Sequence, residues 1–308
     1  MAEKDMTEKA LLAFNDVFAD IVNNLVFKGK RHIAEEDLEQ PVNRGVYLGE
    51  NAFREMERDV SKVWKQSNIR IAMFGLENET EAENDMPFRA FGYDGLSYRD
   101  QIRYETDAQG NRRKEGERYP VITLVLYFGY KKHWDKARTI HEALGDKLRP
   151  EFKSLVPDYK LNLYEIAYLT DEELKGFQSD FKYVADYFVQ MQRTGTYTGS
   201  VEEMHHVREV LNLLTVLTGD NRFLSVADQA DETGEERRIH NMCEVLDAIE
   251  KKGYESGYDT GFDRGEEAQA RKDAVAMRKN GFAADTIAAI IDRDIETVLH
   301  WLNEAETG

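Results

Sequence analysis

A single cysteine, Cys243, stands in 308 residues. One thiol cannot cross-link the chain to itself, and it cannot build a cysteine-based zinc site. Long apolar runs are missing as well: none approaches the ~18–20 residues that a membrane span needs. The opening Met1-Ala2-Glu3-Lys4-Asp5 lacks the basic stretch and apolar run of a secretory signal. These absences lead us to expect a soluble, cytoplasmic protein without a membrane partner. Basic charge is also short, with 41 Lys+Arg against 59 Asp+Glu and a net charge of −18. Coating of nucleic acid by charge alone is excluded, because phosphate binding needs a basic surface. A small, metal-neutralised site for a phosphodiester is not. No phosphate-cradling glycine loop of the Walker type is present, and no spacing points to Ser-His-Asp or Cys-His catalysis.

What the chain does contain is enough apolar material for a core, 41% hydrophobic and 11% aromatic. Its length suits one large domain or two smaller ones. Residues 227–308 hold 20 acidic and 10 basic side chains, a net of −10, so only −8 belongs to residues 1–226. This shift marks the expected division: a domain over 1–226 and a helical C-terminal region over 227–308.

Leu11, Leu12, Phe14, Phe18, Ile21, Val22 and Leu25 recur at spacings of three and four, which predicts a helix over 8–27 capped at Gly29. The polar stretch with Pro41, Gly45 and Gly49 reads as loop. Strands are expected over 56–64 and 68–77, joined by a turn at 65–68, and helix over 87–103. A polar loop over 106–118 follows. Pro120-Val-Ile-Thr-Leu-Val-Leu-Tyr-Phe128 is the clearest buried strand, and 160–168 is another. Helices are then expected over 171–193, 200–218 and 235–252. This order defines an α/β layer on one mixed sheet.

Two acids stand out by position. Asp59 lies in the first strand and Glu77 ends the second. A hairpin turning near Ser67-Asn68 sets them within about a residue of directly opposite. Opposed Cβ atoms lie ~4.5–5.5 Å apart, and two carboxylates at that distance repel unless a cation intervenes. Hard oxygen ligands suit Mg²⁺ (or Mn²⁺), which can polarise a phosphate and activate water. A slip of one residue would send the acids to opposite faces. Spacing alone leaves a second reading open, two solvated acids at strand ends.

Arg58-Asp59-Val60, followed by an apolar strand ending in Glu77-x-Glu79-Thr80, resembles the core of the Rpn family of recombination-promoting nucleases, the PD-(D/E)XK nuclease family transposases. Phe14-Asn15-Asp16-Val17-Phe18 resembles the family's opening helix. Met86-Pro87-Phe88-Arg89 with Tyr93 resembles the helix after the catalytic strands. Val125-Leu126-Tyr127-Phe128-Gly129 with Trp134, and Leu161 to Leu174, resemble later elements. The likeness covers roughly residues 8–220. It implies a restriction-endonuclease-like fold, a mixed four-stranded core flanked by helices, and metal-dependent hydrolysis of DNA phosphodiesters. By the same likeness Asp59 and Glu77 are the catalytic Mg²⁺ ligands, and Asp16 matches an acid on the first helix. Glu79 departs from the pattern, which has Lys or Gln there. A Lys can stabilise developing negative charge. Glu cannot, though it can serve as a further ligand or a base. The departure opens an alternative, a catalytically inactive nuclease-fold module that binds DNA or a protein. Arg70, Arg89, Arg99, Arg103, Arg112, Arg113, Lys114, Lys131 and Lys132 are available to phosphates, and the loop 110–118 and the Lys131-Lys132 turn are favoured.

In the C-terminal region Gly253, Gly257, Gly261 and Gly265 recur every four residues, each beside an aromatic or Glu. They suggest a connector or a self-association helix, so a homo-oligomer through the C-terminal helices is expected. Short helices over 268–279, 284–291 and 295–303 resemble a helix-turn-helix. The last carries little basic charge, which favours packing or dimerisation over DNA reading. His205-His206, taken as helical, point in different directions and make a poor metal site.

Overall fold

The structure, a computed structural model, describes residues 10–41, 46–49, 52–55, 59–66, 69–106, 112–232 and 239–307. The opening amphipathic pattern forms a helical turn over 10–13 and then α1 (Asn15–Leu25), which buries Val17, Phe18, Ile21 and Val22. The chain leaves it through Lys28 and Gly29, at φ of +53° and +80°. Glycine meets that second left-handed position at least cost.

Short strand β1 (Leu38–Glu39) follows, then a hairpin of β2 (Val46–Gly49) and β3 (Ala52–Glu55) where loop was expected. The expected strand pair is β4 (Val60–Gln66) and β5 (Ile69–Glu79). Positions 56–58 and the turn residues Ser67 and Asn68 lie outside the described residues. Helix α2 (Met86–Asp100) comes next. The polar segment after it is not all loop: β6 (Arg103–Thr106) and β7 (Arg112–Glu115) pair as a two-stranded ribbon, with 107–111 outside the described residues. Strand β8 (Val121–Tyr127), helix α3 (Ile140–Leu144) and strand β9 (Asn162–Glu165) complete the α/β layer.

Among the described residues, a five-stranded mixed sheet runs in the order β1-β4-β5-β8-β9. The pairs β1/β4 and β4/β5 are antiparallel, while β5/β8 and β8/β9 are parallel. Side chains alternate between its faces. Phe74 on one face meets Phe27, and Lys62, opposite Phe74 in register, meets Phe18 and Asn15 of α1. Thr123, Val125 and Tyr127 point the other way, toward α2, where Met86, Ala90, Val125, Tyr127, Trp134 and Leu161 form a buried cluster.

Helix was expected without interruption over 171–193. It forms as α4 (Asp171–Gly176) and α5 (Phe181–Thr194). The break is held by Asp20 of α1, whose Oδ2 accepts hydrogen bonds from the backbone N–H groups of Gln178 and Ser179 at 2.8 Å. Residues 200–206 are not helical, and α6 (Val207–Thr218) starts after them. There Asp180, 2% exposed, accepts the backbone N–H groups of His205 and His206. Helix α7 (Asn221–Glu232) was not expected. The C-terminal glycine repeat does not interrupt helix: α8 (Met242–Lys279) is continuous over 38 residues. Residues 235–238 of the expected preceding helix lie outside the described residues.

The chain divides into two compact units, Met1–Val245 and Leu246–Gly308, rather than at 226/227. Segment 240–245 is stitched to the first unit: Met204 N–H donates to the His240 carbonyl, and Cys243 N–H to that of Ser200. Met242 and Val245 are fully buried. In the second unit, α9 (Ala284–Ile290) and α10 (Ile295–Thr307) pack a small core of Ala274, Ile287, Ala288, Val298, Trp301 and Leu302. Gly281, at φ +90°, follows the end of α8 as the sequence indicates. A Cβ added at Gly253, Gly257 or Gly265 would meet nothing within 4 Å.

Candidate functional site

The antiparallel register of β4 and β5 pairs Val60 with Leu76. The next step along the hairpin sets Asp59 against Glu77, as the alternation of the two strands indicates. The contact is reciprocal. Asp59 N–H donates to Glu77 Oε1 at 3.2 Å, and Asn78 N–H donates to Asp59 Oδ2 at 2.8 Å. Asp59 sits at a bend just before β4 rather than within it. Glu79, two residues on, returns to the Glu77 face.

Glu77 is 2% exposed. A buried carboxylate needs a compensating charge, and α2 supplies it. Arg89, one turn into that helix, donates to Glu77 Oε2 at 3.2 Å, Glu79 Oε1 at 2.8 Å and Glu83 Oε2 at 3.0 Å. Burial works against the Arg89 charge, but the bond to Tyr93 and the charges of Glu79 and Glu77 outweigh it and raise its pKa. Burial pushes the Tyr93 phenol up, and the Glu77 charge pushes the same way. Glu79 is raised by burial and by the charges of Asp59 and Glu83, in spite of Arg89. Among the described residues three glutamates therefore share this guanidinium, an excess of negative charge.

Further along α2, buried Asp94 accepts the Thr123 hydroxyl and the Tyr159 phenol, both at 2.7 Å. The first bond ties the helix to β8 and the second ties it to the segment before β9.

Asp59, Glu77 and Glu79 are thus brought together. Asp16 is not drawn in. It lies on α1, which covers the opposite face of the sheet, and its Oδ2 is 3.4 Å from His206 Nε2. The His206 ring is stacked on Phe14 at 3.9 Å. Of the basic residues read as phosphate contacts, Arg89 is held among the glutamates. The ribbon bearing Arg112, Arg113 and Lys114 is rooted beside Val121, at the far end of β8 from Glu79. Lys131 and Lys132 are exposed in the loop after β8, at the near end.

Among the described residues no group of three or more His, Cys, Asp or Glu is arranged to hold a metal ion. The donor set of Asp59 and Glu77 nevertheless fits Mg²⁺. That ion takes one or two carboxylates and completes its shell with water and phosphate oxygens. Each carboxylate oxygen also has more than one lone pair, so a hydrogen bond does not exclude a ligand bond. Comparison with protein-family models, curated proteins and solved structures finds no match to this chain.

Proposed function

We propose that this chain is a metal-dependent DNA endonuclease of the Rpn, PD-(D/E)XK transposase type, a phosphodiester hydrolase acting in recombination or on mobile elements. The observation that carries the reading is the convergence of Asp59 and Glu77 at the end of the β4/β5 hairpin, with Glu79 on the same face. The five-stranded mixed sheet with helices on both faces is compatible with a nuclease core. In this reading Asp59 and Glu77 hold Mg²⁺ or Mn²⁺, which when bound polarises the phosphate and lowers the pKa of water. Glu79, its carboxyl raised by burial, is placed to take a proton from water, since a base works best when its pKa approaches the working pH. Arg89 supplies the positive charge that residue 79 does not, and it can stabilise charge building on a phosphate.

A second reading rests on the same guanidinium. Arg89 closes on Glu77, Glu79 and Glu83 together, as it would in an inactive nuclease-fold module that binds DNA or a protein. Plasmid nicking in Mg²⁺ and in Mn²⁺ separates the two. The hydrolase nicks, and Asp59→Ala and Glu77→Gln lose at least 100-fold while melting normally. Nicking that survives Asp59→Ala removes that residue from the mechanism. Binding without nicking in either metal selects the inactive module.

A further inference from the structure

The loop after β8 carries four basic residues and one acid between Lys131 and Arg138, a local charge of +3 in a chain of −18. Its place follows from register. Glu79, Tyr127 and Glu165 are paired across β5, β8 and β9 and form one row on the α2 face. Neighbouring strands lie ~4.8 Å apart, so the row spans about 10 Å. The loop leaves β8 at the centre of that row, beyond the carboxyl ends of the parallel strands, where open sheets of this kind take ligands.

The loop is built, not loose. Trp134, 4% exposed, packs edge-on against Tyr127 at 5.3 Å, and its backbone N–H donates to Glu165 Oε1 at 2.7 Å. Tyr127 donates to the Lys132 carbonyl at 3.2 Å. A Cβ on Gly129 would fall 2.1 Å from that phenol oxygen, so the close approach needs glycine. Glu165 Oε1 also lies 3.1 Å from His133 Nδ1, and Glu165 Oε2 accepts from Arg138 at 3.4 Å. The His133 ring stacks on Tyr168 at 3.7 Å with planes 25° apart, while its side chain stays 67% exposed. Lys131, Lys132, Lys136 and Arg138 are exposed around it.

We propose that this loop seats a single strand of nucleic acid beside the carboxylates, with backbone phosphates on Lys131 and Lys136 and one unpaired base on the open face of His133. A positive track with an aromatic platform is the combination that binds single strands without reading sequence. The inference rests on the hydrolase reading for its orientation toward Asp59 and Glu77. It does not rest on that reading for the binding itself.

The test is an anisotropy titration of a labelled 16-nucleotide single strand with the full chain in EDTA, from 50 to 200 mM salt. Lys131→Glu/Lys136→Glu should weaken binding at least tenfold and flatten the log–log salt slope by roughly 1.4, about 0.7 for each lost phosphate contact. His133→Ala should weaken it about tenfold with the slope unchanged, and His133→Phe should restore it, because a base stack is worth ~1–3 kcal/mol. Arg112→Glu/Arg113→Glu, on the distant ribbon, should leave affinity within twofold. The proposal is overturned if the loop variants bind like the parent, if the ribbon variant loses as much, or if the parent does not bind. Nicking that persists with the loop variants binding normally sinks the loop and keeps the hydrolase. Loop-dependent binding without nicking in Mg²⁺ or Mn²⁺ does the reverse.

Discussion

Replacing Arg89 by Met keeps the aliphatic bulk and removes the cation that, among the described residues, Glu77, Glu79 and Glu83 share. At 3.2 and 2.8 Å the two inner pairs carry a gross attraction of roughly 5–6 kcal/mol each at an effective dielectric near 20. Most of that is offset. The Arg89 side chain is 36% exposed, so water screens it, and both partners lost hydration on folding. The remainder should be a destabilisation of about 2 kcal/mol near pH 8, larger than a surface ion pair because Glu77, 2% exposed, stays buried and loses that charge. Urea unfolding followed by tryptophan fluorescence measures it. Trp64 and Trp134 lie in the first unit and Trp301 in the second, so a Trp301→Phe background confines the signal to the sheet. The loss must depend on pH in one direction. Without Arg89 the Glu79 pKa rises further, the native state binds more protons than the unfolded chain above pH ~4.3, and the deficit shrinks as pH falls through that window. A deficit equal at pH 8 and pH 4.5, or a midpoint that does not move, would show that Arg89 acts by packing or not at all.

Lys62, 2% exposed and donating to the Asn15 amide oxygen, has its pKa lowered by burial. The unfolded chain then binds more protons than the native one below ~10.4, so stability rises with pH toward that value. Lys62→Met should erase the rise, and parallel pH curves for parent and variant would refute it. Gly253→Ala and Gly257→Ala lie in open space on α8, and each should raise helix stability by ~1 kcal/mol, read by circular dichroism during melting. A loss together with a lower apparent mass in sedimentation would instead place those glycines in a contact between copies. Mg²⁺ at 100 times its Kd should stabilise the parent by ~2.7 kcal/mol and leave Asp59→Asn unmoved, and an equal shift in both would place the ion elsewhere.

The parts of this molecule legible in the sequence are those with a strong period. Val121–Tyr127 and the β4/β5 pair were readable because alternation and β-branching agree, and with them came the meeting of Asp59 and Glu77. The ribbon β6/β7 was not, because its strands, Arg103–Thr106 and Arg112–Glu115, are nearly all polar and carry no apolar alternation. Helix α8 hid behind its glycines, whose cost of ~1 kcal/mol each weakens a helix without ending it. The roles of Arg89 and His133 could not be read at all. Each is defined by carboxylates on another element, and for His133 the partner Glu165 is 32 residues away. A basic loop next to a clear buried strand was the available signal.

Glu79 is where stability and chemistry should part. Its carboxyl is raised in the folded state, so the native chain holds that proton to a higher pH than the unfolded chain does. Stability therefore falls as pH rises from ~4.3 through the folded value, and the cost persists at neutral pH. Glu79→Gln removes the ionisation while the amide oxygen still accepts from Arg89. The variant should be more stable than the parent at pH 8, with the gap closing as pH falls toward 4. A structural acid would be improved by this exchange and nothing lost. An acid that works as a base would give up turnover in the same variant, with DNA affinity in EDTA unchanged. A variant that is both more stable and fully active at nicking would remove Glu79 from the chemistry and leave Asp59 and Glu77 to carry it.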